Sequence, residues 1–314
     1  MRIAVLDDYQ RVAEQFGPWD RLAEHEVVFF HEPLGDDEHV VVGLADFDVV
    51  CAMRERTPFP GAVIERLPRL RLLVTTGYAN AAIDLDAARA HGVTVSATRT
   101  SPQVTVEAAW ALILALARRI PQEERALREG RWRPAVGTTL HGKTLGILGL
   151  GHLGGAVAQI GNALGMRVLA WSQNLSAERA GEVGAELVAK DELFAQADVL
   201  TIHLRLSDRT RGLVGEQELR LMKRTAMVVN TSRGPIVDEQ ALAAALQDGA
   251  IGGAALDVYD EEPLPLDHPL LRAPNTVMTP HIGYIADSNY EIFFADTVED
   301  IEAFLAGTPI RLLT

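Results

Sequence analysis

The chain has 314 residues, 48% apolar and 23% charged, and 29 Lys and Arg against 43 Asp and Glu give a formal net charge of −14. That length suits two domains with separate cores, and the acidic balance argues against nucleic acid as the main partner, since a phosphate-binding face needs a basic patch. The longest apolar runs, such as Ala108–Ala117, are too short to span a bilayer, and the single cysteine excludes an internal disulfide framework or a cysteine-based zinc cluster.

Met1 leads directly into a strand-like Arg2–Leu6 with no secretion signal, so a cytoplasmic location is expected. The first hundred residues predict strands at Ile3–Leu6, Val27–Phe30, Val49–Ala52, Leu72–Thr75 and Val93–Ser96. Helical stretches lie between them at Val12–Ala23, His39–Leu44 and Ala62–Leu67. Cys51 falls in an apolar run and reads as a buried small residue. Glu107–Arg118 reads as an Ala/Leu-rich helix bracketed by Pro102 and Pro121, crossing to a second unit.

That second unit opens on Leu145–Leu148, an apolar run that breaks into Gly149, Gly151 and Gly154 as the helical stretch Leu153–Leu164 begins. This is the strand, glycine turn and helix of a dinucleotide site. The first glycine permits the tight turn, the second lets backbone approach a pyrophosphate, and the third lets helix pack on strand. The helix N-terminus adds unpaired N–H groups and positive dipole. Further strands are expected at Arg167–Trp171, Val199–Leu204, Ala226–Asn230, Ala254–Val258 and Thr276–Thr279, six in all, the count of a full dinucleotide-binding domain. The last helix, Asn289–Leu305, is expected to return to the first unit.

Three segments at strand ends carry chemistry. In Asn230-Thr231-Ser232-Arg233-Gly234 the guanidinium suits a bidentate grip on a carboxylate; its ordinary structural alternative is a surface arginine paired with Asp238 or Glu239. In Asp257-Val258-Tyr259-Asp260-Glu261-Glu262-Pro263, Asp260 and Glu261 read as a solvated loop, while Asp257 at the strand end and Glu262 against a proline suit a site. In Thr279-Pro280-His281-Ile282-Gly283 a histidine sits between turn residues, either structural or a general acid whose imidazolium a carboxylate would favour. An arginine, a His–carboxylate pair and a dinucleotide loop together form the kit for hydride transfer to a 2-oxo acid. No metal-ligand spacing, nucleophile elbow or Walker A loop competes with it.

In their order along the chain, these motifs resemble the D-isomer-specific 2-hydroxyacid dehydrogenase family, over nearly the whole chain and most specifically in residues 142–284. The resemblance implies an α/β protein in which a Rossmann doubly wound parallel-sheet domain, 99–285, is inserted into a flavodoxin-like α/β substrate domain, 1–98 plus 286–314. It implies that Arg233 orients substrate, His281 is the acid/base, Glu262 supports the imidazolium and Asp257 holds the nicotinamide carboxamide. Gly149, Gly151, His152, Leu153, Gly154, Ser172 and Thr231 are implied as the other cofactor contacts. The loop Thr75-Thr76-Gly77-Tyr78 matches the one whose backbone N–H groups receive the substrate carboxylate, and Arg54 stands where the family often contacts substrate. A homodimer is implied, with residues 105–140, including Trp110, Trp132 and Arg133, as the candidate interface.

The sequence also departs from the family. The strand Arg167–Trp171 ends in Ser172-Gln173-Asn174, without the acid that NAD-specific members place on the adenosine ribose. NAD is the expected cofactor, with NADP possible if Arg179 folds back. Ala79-Asn80 replaces the usual substrate-loop pattern, and Arg205 stands where a proline is common. Two other readings fit the fold: a non-catalytic NAD(H)-sensing interaction protein of corepressor type, and a formate dehydrogenase, against which Glu262 speaks because those enzymes pair the histidine with glutamine.

Overall fold

Val49–Ala52 and Leu72–Thr75 are buried at every position, as expected of strands covered on both faces of a parallel sheet. The computed structural model describes residues 1–313 and divides the chain into two units, Met1–Ser101 with the segment from Ile285 onward, and Pro102–Tyr284. In chain order the first unit comprises β1 (Arg2–Val5), α1 (Ala13–Phe16), β2 (Glu26–Phe29), α2 (Asp37–Leu44) and β3 (Val49–Ala52). It continues with α3 (Gly61–Ile64), β4 (Leu72–Thr75), α4 (Leu85–Ala90) and β5 (Thr94–Ala97). Its sheet is wholly parallel in the order β2-β1-β3-β4-β5, the flavodoxin-like order.

The second unit starts with α5 (Pro102–Ala117), α6 (Ile120–Arg128), β6 (Thr144–Leu148), α7 (His152–Ala163) and β7 (Arg167–Trp171). There follow α8 (Ala177–Gly181), β8 (Glu186–Leu187), α9 (Lys190–Gln196), β9 (Val199–Ile202) and α10 (Glu216–Leu221). The series closes with β10 (Met227–Asn230), α11 (Glu239–Gln247), β11 (Gly253–Leu256) and β12 (Thr276–Met278). The strands form one parallel sheet, β12-β11-β10-β9-β6-β7-β8, which is the doubly wound dinucleotide order with its switch point between β6 and β9. One apolar core around Leu148, Phe194, Leu200 and Leu256 covers one face, and a second around Ile113, Ile147, Val157 and Val229 covers the other. The last helix, α12 (Asp287–Leu305), packs on α1 and β4 of the first unit.

Several sequence expectations change. Val12–Ala23 is not one helix: Pro18 forces Gly17 into extended backbone, so α1 stops there and a 3-10 turn, Trp19–Leu22, follows. Pro102 and Pro121 do not bracket one helix. Each sits in the first turn of its own helix, α5 and α6, where a missing N–H costs nothing. The two-residue β8 is too short to show a period in sequence and exists by pairing with β7. Trp110 is 5% exposed in the core between α5 and α7, so it is a packing residue and not part of a surface. Trp132, by contrast, is 72% exposed.

Candidate active site

Every chemical motif of the second unit lies at the C-terminal edge of its sheet, because each follows directly on a parallel strand. At the centre Gly149, just past β6, adopts a φ of +104° that L side chains avoid. Its N–H donates to the Trp171 carbonyl at 2.8 Å, and a Cβ there would lie 2.7 Å from the carbonyl oxygen of His203. Gly154, in the first turn of α7, is equally constrained: a Cβ would meet the Gly149 carbonyl oxygen at 2.1 Å. Gly151 is different. A Cβ there would point into open space, so the fold makes no demand for glycine, whereas backbone approach by a phosphate would. His152 and Leu153 start α7 immediately after it. Thr231 supplies a second sign of a ligand, since its Oγ1 is buried with no hydrogen-bond partner among the described residues. The loop and this hydroxyl fit a dinucleotide.

After β10 the Arg233 turn is braced from both sides. Asn230, almost fully buried, accepts the N–H of Ser232 and donates to the Arg233 carbonyl; the Ser232 hydroxyl donates to the Ile202 carbonyl at 2.7 Å. Gly234 lets this turn rest on the next loop, for a Cβ there would meet Tyr259 backbone carbonyl atoms near 2 Å. The two acids weighed as surface partners of Arg233 have other work. Asp238 caps α11, and Glu239 accepts the Asp260 N–H while facing His268 at 3.1 Å. Burial pushes the Glu239 carboxyl above its usual range.

The histidine is held by two acids. His281 Nδ1 stands 2.6 Å from Glu262 Oε2, and the other oxygen of Glu262 accepts the Tyr259 N–H. His281 has a φ of +54°, unusual for a residue with a Cβ and costly unless its surroundings fix it. Asp257 fixes it. This carboxylate, 1% exposed, accepts the Thr279 hydroxyl at 2.5 Å, the Ile282 N–H at 2.8 Å and the Gly283 N–H at 2.7 Å. Burial pushes its carboxyl upward, and these three donors and the His281 charge oppose the shift. Tyr259 closes the turn by donating to the Thr279 carbonyl at 3.0 Å. Sequence reading selected Asp257 for a cofactor contact and missed this bracing role, as well as Thr279 and Tyr259. Only a fold that aligns β11 with β12 makes them neighbours.

In the first unit Arg54, past β3, also has a left-handed φ of +54°. Its guanidinium donates to the Thr76 carbonyl at 3.3 Å and lies so close over Gly77 that a Cβ would fall 1.7 Å from Nη1. Asn80, whose role the sequence left unassigned, donates to the Arg54 carbonyl and to Thr75 Oγ1 while accepting the Ala82 N–H. One expectation is altered here. The Gly77 N–H already bonds Thr98 Oγ1, and the Thr76 N–H bonds the Ala52 carbonyl, so these two amides serve the fold and the nearby cation is Arg54. Tyr78 is 62% exposed, its hydroxyl bonded to the Thr100 carbonyl.

Among the described residues no cluster of three metal-ligating side chains occurs, and no helix is long and apolar enough to cross a membrane. The model of the family described as "D-isomer specific 2-hydroxyacid dehydrogenase, NAD binding domain" matches residues 110–283. A glyoxylate reductase of Aeropyrum pernix is 44% identical over 257 residues, 78% of this chain and 76% of that protein. The crystal structure of a phosphoglycerate oxidoreductase from Vibrio cholerae superposes with a TM-score of 0.93 at 40% identity, covering 98% of this chain and 99% of the other. The apo-structure of D-lactate dehydrogenase from Escherichia coli gives 0.85 at 27% identity, with both chains fully covered.

Proposed function

The chain belongs to the D-isomer specific 2-hydroxyacid dehydrogenase family, and from that premise we propose that it reduces a small 2-oxo acid to the D-2-hydroxy acid with NADH, His281 supplying the proton. One observation carries this reading: the 2.6 Å His281–Glu262 pair stands on the same sheet edge as the Arg233 turn and the glycine loop. The similarities support an NAD-dependent oxidoreductase and give no support to a non-catalytic sensor.

When bound, NADH supplies the hydride that reaches the carbonyl carbon. Gly149, Gly151 and the start of α7 at His152, Leu153 and Gly154 cradle the pyrophosphate of that cofactor, and Thr231 Oγ1 is an acceptor or donor for its nicotinamide half. Arg233 grips the substrate carboxylate and stabilises charge developing on the carbonyl oxygen. His281 keeps Nδ1 on Glu262, which assigns Nε2 to that oxygen, as proton donor in reduction and acceptor in the reverse reaction. Glu262 balances the imidazolium charge, and Asp257 holds the turn while offering the nicotinamide carboxamide its remaining acceptor position. Arg54 and Tyr78 are proposed substrate contacts in the first unit. A homodimer through residues 105–140 accounts for the exposed Ile120, Leu127, Trp132 and Val136, with Arg133 stacked over Trp132.

The experiment is a spectrophotometric panel of glyoxylate, hydroxypyruvate and pyruvate with NADH. His281→Ala is expected to lower turnover on the best substrate by about 10²–10⁴-fold, the size of a lost general acid. Near-full activity in both His281→Ala and Arg233→Ala would overturn the assignment.

A further inference from the structure

We propose that Glu239, with His268 beside it, is a positioning residue for proton transfer: it holds the Tyr259–Asp260 peptide against the Arg233 turn and so sets where Glu262 meets His281. This rests on the dehydrogenase reading above. Glu239 is the first residue of α11, a place where an acid ordinarily stays in solvent and serves the helix dipole. Here it turns inward and is 8% exposed. A buried carboxylate is costly unless donors meet it. The Asp260 N–H donates to its Oε1 at 2.9 Å, and its Oε2 stands 3.1 Å from His268 Nε2. His268 Nδ1 accepts the Leu270 N–H and caps the 3-10 turn Pro269–Arg272, which leaves the ring proton on Nε2, the nitrogen beside the carboxylate.

Two successive backbone amides are thereby divided between two acids. The Tyr259 N–H donates to Glu262 Oε1 at 3.0 Å, while the other oxygen of Glu262 lies 2.6 Å from His281 Nδ1. The next amide, Asp260 N–H, goes to Glu239. Gly234 closes the arrangement from the Arg233 side, for a Cβ there would fall 2.0 Å from the Tyr259 carbonyl carbon and 2.4 Å from the Asp260 nitrogen. The Tyr259–Asp260 peptide therefore rests on the residue after Arg233 and is tied by its N–H to the helix that follows the same turn. Without the Glu239 acceptor this peptide is free to rotate, and its rotation carries the Tyr259 N–H off Glu262. A proton-transfer pair is sensitive to displacements well below 1 Å.

The ionisable groups that face Glu239 are His268 and the carboxylates of Asp260 and Glu262. Burial pushes the Glu239 carboxyl up, so on acidification it loses its charge ahead of an ordinary glutamate and becomes a weaker acceptor for the Asp260 amide.

The test compares Glu239→Ala, Glu239→Gln and His268→Ala with the intact protein, by steady-state reduction of the best 2-oxo acid and by amide hydrogen exchange. Glu239→Ala is expected to lower kcat about 10- to 100-fold while KM for NADH stays within about twofold. Glu239→Gln keeps an oxygen for the Asp260 amide and should restore kcat to within about fivefold of wild type. His268→Ala should fall between the two. On the acid side kcat should decline at higher pH in the wild type than in Glu239→Gln, which has no proton to gain there. Exchange should quicken in Glu239→Ala at 259–260 ahead of the rest of the second unit. A kcat within about twofold of wild type in Glu239→Ala, equal losses in the Ala and Gln variants, or exchange that quickens uniformly through the unit would overturn the proposal. Absence of turnover of any 2-oxo acid by the wild type would remove the dehydrogenase reading instead, and the exchange pattern alone would then decide whether Glu239 holds this peptide.

Discussion

Two buried aspartates hold two turns of this molecule by opposite means. In the second unit Asp257 is surrounded by neutral donors, one hydroxyl and two backbone N–H groups, and its neighbours set the position of His281. In the first unit Asp300 on α12 is as deeply buried but leans on one cation. Its Oδ1 accepts Arg311 Nε at 2.9 Å, and its Oδ2 has no partner among the described residues. Burial lifts the Asp300 carboxyl to about 7, against the pull of Arg311 and with a further push from Asp296 and Glu299. Arg311 also donates to the Asp296 carbonyl and to Glu299, and the tail around it adds Leu312 to the β5 edge through an antiparallel bridge with Ser96. The contrast teaches that a buried carboxylate can be fixed by neutral dipoles on both oxygens, while a turn held by one cation depends on the charge of both partners.

The largest expected effect breaks the charged side. Arg311→Ala removes the cation from Asp300 and Glu299, and the stability of the first unit should fall by about 3–4 kcal/mol, read from denaturant midpoints. A loss below about 1 kcal/mol would mean that the tail packs well without its arginine. Next is the neutral side. Asp257→Asn turns an N–H toward one of the two amides it now accepts, so the His281 turn should shift and kcat/KM fall about a hundredfold. Activity within a factor of about three would show that Glu262 alone positions the histidine.

The smallest effect concerns pH. Because the folded Asp300 carboxyl titrates near 7 and an unfolded aspartate near 3.8, the native state holds the extra proton between these values. Stability from this group is therefore complete at the acid end and declines as pH rises toward 7. Over pH 5 to 8 the wild type should lose about 2 kcal/mol relative to Asp300→Asn, measured by parallel urea titrations. Parallel curves for the two proteins would show that Asp300 keeps the same charge throughout. His203 moves in the opposite sense: burial beside Thr201 pushes its imidazole down to about 4, so it stays neutral across that window and does not blur the comparison.

Much of the candidate site was legible because strand, turn and motif are local. Gly149, Gly151 and Gly154 announce their turn by spacing alone, and Arg233, Glu262 and His281 each stand next to residues that stop a strand or bend the chain. The helix boundary errors were local too. Pro18 and Pro121 carry the signal that splits Val12–Ala23 and starts α6, and it lies in a proline's missing N–H, which hydrophobic period does not register.

The sequence by itself determined the class of fold and singled out the glycine loop and the candidate residues of the site, since each is written in the order and spacing of neighbouring residues. Tertiary structure alone decided which groups brace them. Asp257 meets Thr279, Ile282 and Gly283 only because β11 and β12 pair in register. Asn80 meets Arg54 only because β3 and β4 lie side by side. The physical reason is range: a turn is set by torsions a few residues long, whereas the satisfaction of a buried carboxylate or amide depends on partners brought together when the sheets form.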